Sequence, residues 1–371
     1  MNRTGEITVL NPDAACSPLR WKIPALTAPV AWQALQATAT HDGRAAVKVF
    51  LGGQPAPLSA LLAHAAAEGP APLDAERFMA LPGPSFCYGR NVQAWHRPLF
   101  ETVVEALTRH VVRTGLGSGP VEAEVFAGNY PRTPGGVHRE ACSNIHLVLA
   151  GTKIMHLWTG DGWMPAGTRR RRDVAAGTGT QEEYLPTLNP ASVLTAGNSL
   201  TSTAGHGFAW TAGTWHIAET QGPAIALNVA SYQSALHAEP SLPIWADRLD
   251  GAVPPAFLDR YRRHVGGESL PLAAVLGRLS ALAMRPAAAR RPERPARLVT
   301  PRLAAPVVWA RTDNDDLLVA ALGAVRRLPP TTPVDWLTGR WGAAEVAVPE
   351  ASTGLARWLC QQGVLDALEE Q

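Results

Sequence analysis

The sequence predicts a mainly β core, an antiparallel sandwich or barrel, with helical additions on its N- and C-terminal sides. Residues 120–235 carry a series of short runs rich in Val, Ile, Leu and aromatics, among them "VEAEVFA", "SNIHLVLA", "TKIMHLW", "SVLTAG", "GFAWTAGTWH" and "AIALNVASY". Gly, Pro, Thr and Asn punctuate these runs, as in folds made of many short strands. On both sides of this block, apolar residues instead recur every three or four positions, the period of helices. At 371 residues, with 46% hydrophobic and 17% charged, the chain can bury a large core divided into two or three domains.

Residues 1–115 are expected to be mixed, mostly helical, and packed on the core. "LSALLAHAAAEG" and "HRPLFETVVEALTRHVVRTG" have helical spacing, the second closing on Gly115, and "LPGPSFCYGRNVQAW" between them is rich in turn formers. Residues 116–238 form the β core, and the arginine tract in "AGTRRRRDVAAGTGTQEEY" reads as a solvated loop within it. Helix returns over 239–284 with "AFLDRYRRHVGG" and "LPLAAVLGRLSALAM". The segment 285–297, "RPAAARRPERPAR", is rich in Pro, Arg and Ala and reads as a linker. Residues 298–371 form a small module in which "DNDDLLVAALGAVRRL", "VDWLTGRWG" and "ASTGLARWLCQQGVLDALEE" suggest helices around a compact core.

Composition narrows the function classes. A net charge of +2 gives no strong field for nucleic acid or membrane, and no apolar run reaches the length of a membrane span. The first residues lack the apolar stretch of a signal peptide. Cys16, Cys87, Cys142 and Cys360 are dispersed, with no CxxC pair, so a reducing, cytoplasmic setting is expected. Lys22, Lys48 and Lys153 are the only lysines among 33 basic residues, which singles out a lysine on an apolar strand.

The candidate chemistry starts at "VHRE". Residues two apart on a strand face the same way, so His138 and Glu140 can offer an imidazole and a carboxylate to one ion. If the strand runs on, Asn144 and His146 share that face. The same pattern at His237–Glu239 lies in a Pro-bounded segment and is set aside. A third ligand must come from a distant strand, and His216 in "AGTWHIAET", 78 residues downstream, is the candidate. Two histidines and one carboxylate with open positions are the ligand set of non-heme Fe(II) oxygenases; no HExxH points to zinc hydrolysis. Lys153, after the Gly-centred turn "AGTK", begins a strand beside the ligands. A buried lysine calls for an anion, and an oxygenase using 2-oxoglutarate must hold that co-substrate's far carboxylate. His156 alternates away from Lys153 and is read as structural, His206 lies in a turn, and Trp158, Trp163, Trp210 and Trp215 are read as packing residues, the last pair able to wall the site.

The stretch "PGGVHREACSNIHLVLAGTKIMHLW" together with "AGTWHIAETQGPAIALNVASY" resembles the JmjC-type branch of cupin-fold Fe(II)/2-oxoglutarate oxygenases, closest to the protein and ribosomal hydroxylases. It covers about 115 residues closely. In that subgroup a G-x-K lysine follows the first histidine by fifteen residues, the spacing of His138 and Lys153 here. The resemblance implies a double-stranded β-helix (jelly roll), Fe(II) held by His138, Glu140 and His216, and 2-oxoglutarate and O2 as co-substrates. It gives Lys153 the carboxylate-anchoring role and places Asn144 and Asn228 at co-substrate-contacting positions. It further implies hydroxylation of an unactivated C–H of a peptide or protein, or of a small metabolite, with release of succinate and CO2. A dimerisation region at 239–284, hence a homodimer, and a winged-helix-like module at 298–371 also follow from it. Two departures stand out. Glu140 replaces the commoner Asp, and Glu124 and Phe126 stand where related hydroxylases have an Asn and a Tyr, so Thr133 or Tyr130 would supply the missing donor. Two other readings remain open at this point: a cupin-type metalloenzyme acting on a small acid without 2-oxoglutarate, and a non-catalytic binding or regulatory protein. The terminal module carries too few basic residues to read as a DNA-binding helix.

Overall fold

A computed structural model describes residues 6–11, 13–41, 47–61, 73–81, 83–174, 179–234, 236, 241–245, 249, 251–288, 298–303, 305–338 and 345–368. The chain divides into two compact units, one of Gly5–Leu99 with Gly119–Pro240, the other mainly of Phe100–Ser118 with Ser241–Gln371.

The first unit opens with β1 (Glu6–Val9), β2 (Cys16–Lys22), a helix Ala28–His41, β3 (Val47–Leu51), β4 (Gln54–Ala56), a short helix Ala75–Met79 and β5 (Ser85–Gly89). It continues with β6 (Val121–Asn129), β7 (His138–Glu140), β8 (Cys142–Ala150), β9 (Thr152–Trp158), β10 (Arg171–Val174) and β11 (Gln181–Tyr184). It ends with β12 (Asn198–Thr203), β13 (His206–Trp210), β14 (Trp215–Thr220) and β15 (Ala224–Tyr232). These strands form two sheets, ordered β1-β2-β13-β8-β15-β6-β5-β3-β4 and β10-β11-β7-β14-β9-β12. From β6 to β9, and again from β12 to β15, consecutive strands switch between the sheets. The two facing sets, β13-β8-β15-β6 and β7-β14-β9-β12, are therefore the halves of a jelly roll. Between them Val148, Phe208 and Trp210 meet Met155, Leu157 and Ala218.

Two turns show how the sequence makes the chain change sheets. Gly151 has φ +73°, and a Cβ there would lie 2.0 Å from the Pro223 carbonyl oxygen, so only glycine fits between β8 and β9. Ala141 separates β7 from β8: its N–H donates to Gln181 O (3.2 Å) and its carbonyl accepts from Gln233 N (2.8 Å). The expectation of one strand running from His138 through Leu149 is thus corrected. β7 lies in one sheet and β8 in the other, so Asn144 and His146 approach the interior from the sheet opposite His138.

Other expectations change as well. The N-terminal part contributes five strands as well as helices, widening the larger sheet, and "LPGPSFCYGRNVQAW" contains β5. "LSALLAHAAAEG" lies mostly outside the described residues, as does His237–Glu239. "SVLTAG" forms a 3-10 turn at Leu194–Ala196 and the strand follows it. The arginine tract is a hairpin: β10 pairs with β11, and β11 pairs with β7.

In the second unit the helix Arg97–Thr114, from Phe100 on, precedes β16 (Gly251–Ala252) and the helices Pro255–His264 and Leu272–Ser280. Then come β17 (Leu298–Pro301), β18 (Val307–Arg311), β19 (Leu317–Ala321), β20 (Ala324–Leu328), β21 (Val346–Ala347), the helix Thr353–Gln362 and β22 (Leu365–Ala367). Their sheets are β16-β18-β19-β20 and β21-β17-β22. Phe257, Leu258, Val275, Leu276 and Leu279 bury their side chains against Val308, Leu318 and Ala320 of the same unit. The residues expected as a dimerisation region thus place these apolar side chains in their own core. "DNDDLLVAALGAVRRL" is a strand pair and not a helix. Its five residues Leu317–Ala321 are all buried, and an unbroken apolar run of that length suits a strand covered on both faces as well as it suits a helix. Leu322 and Gly323, with φ +49° and +87°, make the tight turn that joins the pair. Most of the linker 285–297 lies outside the described residues.

Candidate metal centre

His138 and His216 are register partners on the neighbouring strands β7 and β14, so their side chains rise from the same face of the sheet. Their ring centroids are 4.3 Å apart. Glu140, two residues on from His138, brings Oε1 to 3.9 Å from His138 Nε2. One ligand atom from each of the three lies within 4.8 Å of the others. Each imidazole is held by a backbone carbonyl. His138 Nδ1 donates to Gly136 O at 2.9 Å and His216 Nδ1 to Thr214 O at 3.0 Å. A carbonyl oxygen can only accept, so a proton sits on Nδ1 and Nε2 is the nitrogen each ring turns towards a metal, the arrangement that orients metal-binding histidines.

The electrostatics agree. His216 is pushed down to about 4 by burial and by His138, which leaves it neutral near pH 7. Burial alone would raise the Glu140 carboxyl, but the two imidazoles, the Cys142 thiol and Arg90 outweigh it and hold it below its ordinary value. Two imidazoles and one carboxylate on one face fit a divalent first-row metal with part of its shell vacant.

On β9, which pairs with β14, is a buried lysine without an anion. Lys153 on β9 is buried, and its Nζ has no hydrogen-bond partner among the described residues. It lies 5.0 Å from the centroid of the Phe126 ring and 5.6 Å from that of Tyr130. Burial pushes the ammonium down to about 7. The Tyr130 hydroxyl, both ring nitrogens of His146 and Asn228 Oδ1 are likewise buried and unpartnered. Burial and Lys153 hold His146 well below its ordinary value. Orphaned polar atoms of this kind are rare in a finished core; here Tyr130 and His146 flank Lys153, a grouping that suits an organic carboxylate.

A polar network closes the other side. Glu124 Oε1 accepts from the Tyr88 hydroxyl (2.8 Å), and Glu124 Oε2 accepts from Asn228 Nδ2 (2.9 Å). Asn228 Nδ2 also donates to Asn144 Oδ1 (2.7 Å). Arg90 bridges Glu122 and Glu124 at 3.1 and 3.6 Å. Burial and the Glu140 charge raise Glu124 to about 7 despite Arg90.

No family model and no curated protein sequence matches this chain. Among solved structures it is similar to the Escherichia coli ribosomal oxygenase YcfD in complex with cobalt and 2-oxoglutarate, with TM-score 0.46 and 11% identity, over 98% of this chain and 99% of that one. A second structure of that oxygenase gives TM-score 0.43 and 12% identity over 94% and 92%. Vicilin from hazelnut (Corylus avellana) gives TM-score 0.21 and 8% identity over 39% and 28%. None of these likenesses assigns chemistry to this chain.

The residues singled out in the sequence fare differently. His138, Glu140 and His216 converge, and Lys153 opens onto the same interior, one strand from His216 and not beside β8. Asn144 and Asn228 belong to the Glu124 network. Tyr130 offers a free hydroxyl beside Lys153. Thr133 does not: its hydroxyl donates to Ala218 O (2.9 Å) and accepts from Ala218 N (3.0 Å), pinning the strand that carries His216. His156 is buried on the opposite face of β9, between Ser199 and Glu219, and Trp210 walls the site 5.1 Å from the His216 ring. Tyr184 was overlooked, although it stacks on His138 at 5.5 Å and 14°. It belongs to the arginine tract read as a loop; a strand assignment there would have exposed it. Cys142, a lone cysteine in the sequence, carries no signal of its own beyond the lack of a CxxC partner.

Proposed function

We propose that this chain is an Fe(II)- and 2-oxoglutarate-dependent oxygenase that hydroxylates an unactivated C–H bond and releases succinate and CO2. The observation that carries this reading is the pairing of a His138–Glu140–His216 triad, both imidazoles held at Nδ1, with the buried, anion-less Lys153 in the same interior. In this reading His138, Glu140 and His216 would hold the metal, and Lys153 with the Tyr130 hydroxyl would receive the co-substrate's distal carboxylate. The iron supplies the redox chemistry that couples decarboxylation of the keto acid to C–H hydroxylation. The chain's own contribution is to fix both imidazoles through Gly136 and Thr214, to keep water out with Trp210, Phe126 and Phe208, and to orient the co-substrate.

The proposed substrate is a peptide or protein side chain. Support comes from β10, whose outer edge pairs with no strand among the described residues and whose Val174 is 68% exposed. An extended chain can add to such an edge, two strands from His138. The test is 2-oxoglutarate turnover by the purified protein with Fe(II) in air, against a panel of peptides, proteins and amino acids. Succinate release that disappears in His138→Ala and His216→Ala is expected. Full turnover in either variant overturns the assignment, and metal-dependent oxygen uptake without succinate points instead to oxidation of a small acid.

A further inference from the structure

The carboxylate ligand has two oxygens, and the structure treats them differently. Glu140 Oε1 is the one 3.9 Å from His138 Nε2. Glu140 Oε2 instead lies 3.3 Å from the sulfur of Cys142, the first residue of β8 and buried. A thiol has one proton to give. The other acceptor near it, Asn144 Oδ1, is farther at 3.7 Å and already accepts from Asn228 Nδ2 at 2.7 Å. Asn144 Nδ2 points at the sulfur from 3.3 Å and at the Cys142 carbonyl from 3.1 Å, so it engages a sulfur lone pair. Asn228 is fixed in turn by Glu124 Oε2. Every donor in this chain therefore points from Asn228 towards Glu140, and the thiol proton is left for Oε2.

We propose that Cys142 is a positioning residue: its S–H holds one oxygen of Glu140 so that the carboxylate offers a metal only the other. This rests on the metal-centre reading above and deepens it. With one oxygen tied to Cys142, Glu140 binds through a single atom, and the position a bidentate carboxylate would fill stays vacant for a chelating co-substrate. A glutamate side chain has three rotatable bonds, so a second attachment at Oε2 helps fix its carboxylate.

The test is a Co(II) titration of the full-length protein, followed by visible absorption, with the melting temperature of each metal-free variant as a control. Cys142→Ala and the near-isosteric Cys142→Val are expected to weaken Co(II) binding roughly 10-fold, the low end for loss of a ligand's hydrogen-bond partner, and to change the Co(II) spectrum. Cys142→Ser, which keeps a donor, is expected to restore affinity and spectrum. Unchanged Co(II) affinity and spectrum in the Ala and Val variants overturn the proposal, as does a Ser variant as weak as Ala. Binding by the unsubstituted chain and its loss in His138→Ala test the metal reading separately; no binding at all overturns both.

Discussion

A lysine whose ammonium faces two aromatic rings and no hydrogen-bond acceptor is costly to keep charged, and the position of Lys153 pushes it down to about 7. A carboxylate arriving beside it favours the charged form and moves it back up. Above pH 7 the empty site holds mostly neutral amine, so binding a dicarboxylate must take up a proton there; below pH 6 the proton is already present. The affinity for 2-oxoglutarate is therefore expected to be flat below pH 6 and to weaken by up to about tenfold per pH unit above pH 7. Calorimetry of the Co(II)-loaded protein in buffers of different ionisation enthalpy would report the proton. Lys153→Met should remove the pH dependence and cost roughly 10–100-fold in affinity, the worth of a charged hydrogen bond. The same substitution should raise the melting temperature of the unliganded chain by removing an unpaired buried amine; a lower melting temperature with unchanged affinity would mean that Lys153 only fills space. At this scale the sequence was legible where chemistry was unusual. A lysine among so many arginines stood out, whereas Tyr184 and Cys142 are ordinary side chains whose importance arises from what surrounds them.

At the scale of elements, Gly151 decides where Lys153 stands. It turns the chain from β8 into β9, and a methyl group there would strike the Pro223 carbonyl oxygen in a left-handed backbone conformation. Gly151→Ala is expected to destabilise the first unit by more than about 2 kcal/mol, seen as a lower midpoint of urea unfolding with an unchanged slope. The turn was readable because glycine is its only solution. The strands around it were readable as short apolar runs bounded by turn formers, although burial does not alternate strictly along them: Met155, His156, Leu157 and Trp158 of β9 are all buried. Leu317–Ala321 is apolar throughout, and period alone does not separate a covered strand from a helix. The strands Arg171–Val174 and Gln181–Tyr184 carry charge on both faces, and the pairing of the second with β7 is set by a partner distant in sequence: Glu183 receives Arg139 at 2.6 Å. The break at Ala141 carries no local signal, because its hydrogen bonds go to Gln181 and Gln233.

For the molecule as a whole, the candidate metal site lies entirely within the unit of Gly5–Leu99 and Gly119–Pro240, and this fixes where a bound ion would act on stability. Metal that binds the folded chain and not the unfolded one stabilises it by RT ln(1 + [L]/Kd), roughly 2.7 kcal/mol at about 100 times Kd. That free energy belongs to whatever opens when the site opens. His138 and His216 sit on adjacent strands joined on either side by β11 and β9, so the ion crosslinks the middle of one sheet and must be released before that sheet comes apart. Hydrogen exchange followed by mass spectrometry, with and without Co(II), should therefore show increased protection in β7, β14 and their neighbours β9 and β11, and none in β18–β20 of the other unit. His138→Ala should abolish the gain. If protection rises equally in β18–β20, the two units open as one cooperative body, and the stabilisation measured at the metal is then a property of the full chain.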